Sequence, residues 1–257
     1  MLTSSALSSG FRSLGIESGD VMLVHSSYKA LGEVEGGPQT VIDALLATLG
    51  EAGTLIMPTF NFDFCKGQPW DVRSTPSRMG VLTELVRQDP RSCRVFHPIY
   101  SFAAIGGRQE AICGLRNKSS YGADSLFAKL LEWDARIMVI GLSYTDSMTF
   151  FHHVEEMEGV DYRYLKVFSG RVTGWDGNSY EDTFTMLVRD LDKGVITQVD
   201  PMGALLERVG IVTVGKIGDA TVKVMSAKRV YEFTAREMRR DPRLLYTLKS
   251  VGPEGGC

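Results

Sequence analysis

The 257-residue sequence has no apolar run long enough to cross a bilayer, no surplus of basic side chains and no CxxC pair. Each absence removes a class of function. Without a membrane-length segment, and with an N-terminus (MLTSSALSSGFRSLGIESGD) that lacks both a basic n-region and a long apolar core, neither a spanning helix nor a secretory leader is expected. The expected compartment is the cytoplasm. With 28 basic and 31 acidic side chains, a formal net charge of -3, the balance offers no polyanion-binding face, so neither nucleic acid nor a membrane surface is an expected partner. The four cysteines, Cys65, Cys93, Cys113 and Cys257, have no metal-ligand spacing and read as single reduced thiols. There is also no internal repeat, low-complexity tract or linker, which favours a single domain over 1–257.

What is present is a 44% apolar chain, enough for a substantial core, in which short β-branched runs alternate with amphipathic stretches. That pattern predicts an α/β fold. Strands are expected at 20–25, 54–57, 101–105 and 136–142, and helices at 38–49, 79–87, 108–115 and 125–133. Pro38 and Gly50 punctuate the first of these helices as a first-turn proline and a terminating glycine. A long polar loop separates the strand at 54–57 from the helix at 79–87. Another helix begins near Ser147, capped by Asp146, Ser147 or Thr149. After Gly159 the alternating segment YRYLKVFSGRVTGWDGNSYEDTFTMLV, with its Asp176-Gly177 turn, predicts antiparallel strands that cover the site. A helix at 201–208, strands at 211–214 and 220–224 and a helix at 227–240 complete the reading.

The segment DSMTFFHHVEEM, 146–157, carries the strongest chemical signal. Residues three and four apart share a helix face, so His152 lies beside Glu155 and Glu156, and a carboxylate there can fix an imidazole tautomer and raise its basicity. An imidazole of pKa near ~6.5 can take the proton that an ammonium substrate must lose. The plainer alternative is an exposed helical His–Glu pair with no catalytic role. A metal site built from His152, His153, Glu155 and Glu158 with His25 or His97 is disfavoured: there is no HExxH, and adjacent helical histidines point about 100° apart. His153 is expected to pack or face solvent.

Three further segments could meet a cofactor. His25, Ser26 and Ser27 end a strand, and Gly36-Gly37 precede a helix, where free N–H groups suit a phosphate or the amides of a pantetheine arm. A plain turn explains the same glycines, and the segment matches neither GxGxxG nor GxxxxGK[ST]. Thr75, Ser77 and Arg78 stand in a polar loop before a helix, where capping is a sufficient reading. His97 and Ser101 open a strand.

Taken in order, VHSSYKALGEVEGGPQTVIDALLATLG, GTLIMPTF, TPSRMGVL, HPIYSFAAIG, RIMVIGL and TFFHHVEE resemble the aminoglycoside 3-N-acetyltransferase, or antibiotic N-acetyltransferase, family over about Leu14 to Glu156. VGKIGDA and the helix with Phe233 extend the likeness. The resemblance implies a fold distinct from the GNAT acyltransferases, with a central mixed sheet flanked by helices and a C-terminal antiparallel portion. It also implies acetyl-CoA or another short acyl-CoA as co-substrate, no metal, and direct transfer to a small-molecule amine without a covalent enzyme intermediate. By the same resemblance His152 is the general base and Glu155 its orienting partner. His25, Ser26, Ser27, Gly36, Gly37, Thr75, Ser77, Arg78, His97 and Ser101 would surround the cofactor.

Two positions depart from the family pattern: Tyr100 stands for a second histidine, and Met148 for an asparagine before the catalytic helix, a changed site wall. The basic, aromatic YRYLK segment further separates the chain from enzymes that must hold a polycation. Arg163 and Lys166 in it are expected at a sugar phosphate or, more plainly, in solvent. An amino sugar is therefore the expected acceptor, with an aminoglycoside, and hence antibiotic resistance, as the alternative. A non-catalytic CoA-binding domain is the alternative from another class. A homodimer would use an exposed edge of the antiparallel segment, although no interface stripe is visible.

Overall fold

From Val21 to His25 every side chain is buried, which a strand achieves only when helices cover both faces of its sheet. The computed structural model describes residues 1–249 and shows that arrangement. In chain order the elements are α1 (Ser4–Ser13), β1 (Val21–Ser26), α2 (Pro38–Leu49), β2 (Thr54–Pro58), β3 (Trp70–Asp71), α3 (Val81–Gln88), β4 (Cys93–Arg94), β5 (Phe102–Gly106), α4 (Gln109–Cys113) and α5 (Leu126–Glu132). There follow β6 (Arg136–Ile140), α6 (Tyr144–Ser147), α7 (Phe150–Glu158), β7 (Arg163–Thr173), β8 (Ser179–Arg189), β9 (Val195–Thr197), α8 (Asp200–Arg208), β10 (Val212–Ile217), β11 (Ala220–Ser226), α9 (Ala227–Met238) and β12 (Tyr246–Leu248).

The central sheet has the order β10-β11-β6-β1-β2-β5-β4. Its middle strands β6, β1 and β2 are parallel, and β5 and β11 join antiparallel at either side. The mixed sheet and the antiparallel pair β10–β11 are as expected. Strand residues alternate between the two faces. Met22, Val24, Leu55, Met57, Met138 and Ile140 pack under α1, α2 and α3, while Leu23, Ile56, Ile137 and Val139 pack under α5, α7, α8 and α9.

The parallel arrangement gathers the site. The carboxyl ends of β1, β2 and β6 open on one edge of the sheet, and because β5 runs antiparallel to β2, its start at Phe102 opens there too. Ligands of open α/β sheets bind at this edge. The segment after β6 brings α7, and His152 with it, to the same place. Above it the hairpin β7–β8 pairs in unbroken register from Arg163↔Arg189 to Thr173↔Ser179, closed by a turn in which Gly177 takes φ 82° and Asp176 accepts from the Asn178 amide.

Several elements differ from the sequence reading. The helix expected to begin near Ser147 is two: Ser143 caps the short α6, Met148 leaves helical geometry, and Thr149, one of the three expected caps, stands at the N-cap of α7 without a side-chain cap bond. The loop before α3 is polar at its surface but buries Phe60, Phe64, Trp70 and Val72. A buried arginine anchors it: Arg94 donates to the carbonyls of Thr59, Val72 and Thr75 and to the hydroxyl of Ser101, and lies over the Trp70 ring. Replacing Arg94 with methionine fills the volume but strands those carbonyls, and we expect a stability loss of about 3 kcal/mol, read as a lower urea midpoint at unchanged slope. An unchanged midpoint would remove the anchoring role.

The cysteine expectation is also corrected. Cys93 on β4 and Cys113 at the end of α4, 20 residues apart with Cα atoms separated by 6.1 Å, are disulfide-bonded rather than single thiols. Cys65 is free, and Cys257 lies outside the described residues. Among the described residues no helix is long and apolar enough to cross a membrane, and no cluster of three metal-ligating side chains occurs.

Candidate active site

Glu155 is buried with no exposed side-chain surface, and three groups converge on it. His152 Nδ1 lies 2.6 Å from its Oε2, the Tyr162 hydroxyl donates to its Oε1 at 2.9 Å, and Arg163 Nε lies 2.8 Å from Oε2 as a charge contact without hydrogen-bond alignment. The helical spacing of three residues accounts for the first contact. The others arise because the chain leaves α7 through Gly159, in left-handed conformation at φ 64°, and turns straight into β7.

Electrostatics fix the protonation of this group. Burial pushes the Glu155 carboxyl upward, but His152, Arg163 and Tyr162 together outweigh it and hold it below its ordinary value. It is a carboxylate, and a carboxylate only accepts. His152 Nδ1 therefore carries the proton and donates it, which leaves Nε2 with its lone pair. Burial and then the Arg163 charge pull the imidazole below 6.5 against the opposing effect of Glu155, so it is neutral at pH 7. The result is an oriented imidazole with one committed nitrogen and one acceptor nitrogen.

His152 borders a cleft of about 590 Å³. Its walls include Tyr100, Tyr121 and Thr145 from the sheet edge and Arg163, Lys166 and Arg189 from the hairpin. The Tyr121 ring lies 5.3 Å from the His152 ring. The expected covering by the antiparallel segment is thus present.

The family model described as aminoglycoside 3-N-acetyltransferase matches residues 23–239. The chain belongs to the aminoglycoside 3-N-acetyltransferase family. Its relatives in that family include aminoglycoside N(3)-acetyltransferase IX of Micromonospora chalcea, 31% identical over an alignment of 179 positions that covers 62% of this chain and 63% of that protein. Aminoglycoside N(3)-acetyltransferase III of Pseudomonas aeruginosa is 27% identical over 91% of this chain and 92% of its own. Among solved structures, that of aminoglycoside acetyltransferase AAC(3)-Xa superposes with a TM-score of 0.83 at 26% identity, covering 93% of both chains. The alignments to the first curated relatives span 63%, 57% and 61% of those proteins' lengths.

Against this family background the expected cofactor residues divide into two groups. Ser26 ends β1 and Ser27 follows it at the carboxyl edge, and His25 just before them is buried with Nε2 unpartnered, its pKa lowered to about 4 by burial. Gly36 and Gly37 have φ 73° and 77°, α2 starts with no side-chain cap, and a Cβ on Gly37 would meet nothing within 4 Å. An orphaned buried nitrogen and an open, uncapped helix start fit a pantetheine or phosphate arm. The N-terminal segment, which the sequence reading left without a role, pins this loop: Leu2 bonds the backbone of Glu33 and Glu35.

The remaining five are held elsewhere. Ser101 and His97 turn inward, with no exposed surface; Ser101 is fixed by Thr59 and Arg94, and His97 Nδ1 accepts from the amides of Ile99 and Tyr100. Ser101 is therefore occupied within the fold, whereas His97 Nε2, like His25 Nε2, is buried without a partner. Thr75 accepts from the Asp71 amide, Ser77 bonds Thr83, and the exposed Arg78 pairs with Asp63 at 3.0 Å. Their side chains serve the loop, though not as caps, since α3 starts at Gly80 with no side-chain cap. Met148 is 2% exposed in the core and changes no wall; of the two departures only Tyr100 reaches the cleft. Arg163, read as a solvated or phosphate-facing side chain, is instead buried against Glu155, and Tyr162 beside it was not anticipated. The YRYLK stretch held the signal, but only the turn after α7 says which of its side chains points inward. His153 packs, bonding the Tyr121 carbonyl.

Proposed function

We propose that the protein is a CoA-dependent N-acyltransferase, working as one domain over 1–257, that moves an acetyl or short acyl group to the amine of an amino sugar or a related amine. The observation that carries this reading is the buried Glu155 that fixes His152 with Nε2 unprotonated beside a cleft. Membership of a family described by acetyl transfer to an amine supports the donor and the reaction. The implied setting is the cytoplasm, where acetyl-CoA is available.

Acetyl-CoA, when bound, supplies the thioester carbon to which the amine nitrogen bonds as the carbon–sulfur bond breaks. His152 Nε2 takes the proton that the amine gives up. The Glu155 carboxylate compensates the imidazolium so formed, and Arg163 and Tyr162 keep that carboxylate in place. Ser26, Ser27, Gly36 and Gly37 offer hydroxyls and backbone N–H groups to the cofactor arm.

The test is release of CoA thiol from acetyl-CoA across a panel of amino sugars and aminoglycosides. Turnover with at least one amine supports the reading; CoA binding by calorimetry with no transfer to any amine would instead favour a non-catalytic CoA-binding domain. The pH dependence is also set. The base must be neutral, and burial and the Arg163 charge lower its pKa, so the midpoint of the acid limb of kcat/KM should lie below 6.5. An acid limb centred above 7 would contradict the environment described for His152.

A further inference from the structure

We propose that the acceptor amine carries a phosphate group, which Arg189 and Lys166 hold at the mouth of the cleft; this rests on the acyl-transfer reading above. The cleft wall has three cations, Arg163, Lys166 and Arg189, and no carboxylate lines it. The three are not equivalent. Arg163 is used by the buried Glu155. Lys166 and Arg189 are exposed and have no carboxylate within ion-pair distance among the described residues, as is true of other exposed cations such as Arg171, Lys216 and Lys228; what sets these two apart is that they share a cleft wall that no carboxylate lines.

Nearby acids are already engaged. Asp190, next in the chain to Arg189, pairs with Lys193, and Asp200, behind Thr145, accepts from Thr145 and from the Tyr144 amide. Arg189 also stands directly opposite Arg163 in the β7–β8 register. Glu155 offsets the Arg163 charge in that pair, which leaves Arg189 as the member without a counter-ion. The chain as a whole is slightly acidic, at -3, so two unpaired cations at one cleft are a local arrangement and not the spill-over of a basic surface. Phe62, Tyr164 and Phe168 beside them supply ring faces against which a sugar or nucleobase can lie.

A phosphate ester fits this wall on charge, and a polycationic amine does not, since it would bring like charge to Arg189 and Lys166. A phosphomonoester on the sugar and a nucleotide diphosphate linked to it share this chemistry, as do the phosphates of CoA, so CoA affinity is titrated in the Arg189→Glu and Lys166→Glu variants. A loss of CoA binding in Arg189→Glu that matches the loss of phosphate preference would assign the cations to CoA and overturn the proposal. Glucosamine 6-phosphate and UDP-glucosamine serve as probes of the two sources, with unsubstituted glucosamine and tobramycin as the neutral-anchor and polycation controls.

The experiment measures acetyl transfer and calorimetric binding for these four amines with the wild type and with Arg189→Glu and Lys166→Glu. We expect one phosphorylated amine to exceed glucosamine in kcat/KM by about 10-fold or more at low salt, mainly through KM, with the ratio falling as salt rises and collapsing towards one in Arg189→Glu. Whichever of the two probes leads identifies the source of the phosphate. Equal or better use of glucosamine or tobramycin by the wild type, or a phosphate preference that survives both charge reversals, would overturn the proposal while leaving acyl transfer intact. If no amine is acetylated, the acyl-transfer reading fails by itself. Binding then still decides the phosphate site: uptake of a phosphorylated probe by the wild type and not by Arg189→Glu supports it, and any other binding pattern overturns it.

Discussion

Replacing His152 with alanine or glutamine is expected to lower turnover by a factor of ~100 to ~10,000 while leaving CoA affinity nearly unchanged. The asymmetry follows from the geometry. His152 sits at the cleft wall with Nδ1 committed to Glu155, so its removal takes away the proton acceptor, while the glycine loop at Gly36 and Gly37, on a different segment, keeps its backbone. Glutamine tests the chemistry apart from the packing: it retains polarity against Tyr121 but cannot take a proton at neutral pH. Stopped-flow thiol release and CoA titration by calorimetry measure the two sides separately. Equal losses in CoA affinity and turnover would mean that His152 supports the cofactor site and not proton transfer.

Glu155→Gln should do two things at once. The amide cannot compensate an imidazolium, so turnover is expected to fall by about 10² to 10⁴, a range set by other enzymes whose buried carboxylate orients a catalytic histidine. It also leaves the Arg163 guanidinium, whose side chain is 3% exposed, without its counter-charge. Breaking a buried pair by removing one partner costs about 3 to 5 kcal/mol. A large fall in melting temperature should therefore accompany the loss of rate, whereas His152→Ala should lose rate with a much smaller stability change. Adding Arg163→Met to Glu155→Gln removes the stranded cation and should restore much of the stability without restoring turnover. If the double variant stayed as unstable as the single one, the ion pair would not be the source of the effect.

The contrast between His152 and Arg163 shows how far the sequence could be read. Spacing within one helix is a local property, and i to i+3 placed His152 on Glu155 as expected. Helix α2, bounded by Pro38 and Gly50, is likewise local and has the limits expected of it. Arg163 is only eight residues beyond Glu155, yet a glycine turn and a change from helix to strand intervene, and neither periodicity says which side of a new strand faces back. The same limit explains Ser101. A hydroxyl at the start of a strand reads as available until Arg94, from a neighbouring strand, is seen to occupy it. Cys93 and Cys113 meet because β4 runs antiparallel beside β5 and α4 follows that strand, a contact no motif encodes. Met148 misled in the other direction: its exchange for a polar family residue pointed to the wall, but the break between α6 and α7 turns it into the core.

The order of segments around the sheet edge was legible because parallel strands send their following loops to one side. Which polar residues at that edge face the cleft was not, since that depends on packing by the β7–β8 hairpin, far along the chain.

The account turns on His152 as an oriented, neutral base in direct acyl transfer. Its most direct test is the pH dependence of kcat/KM for thiol release from acetyl-CoA, measured from about pH 5 to 8 on the wild type and on His152→Ala with the same amine. The account predicts an acid limb below 6.5 in the wild type and a much lower profile without that limb in the variant. A variant that kept both the limb and the wild-type rate would contradict it.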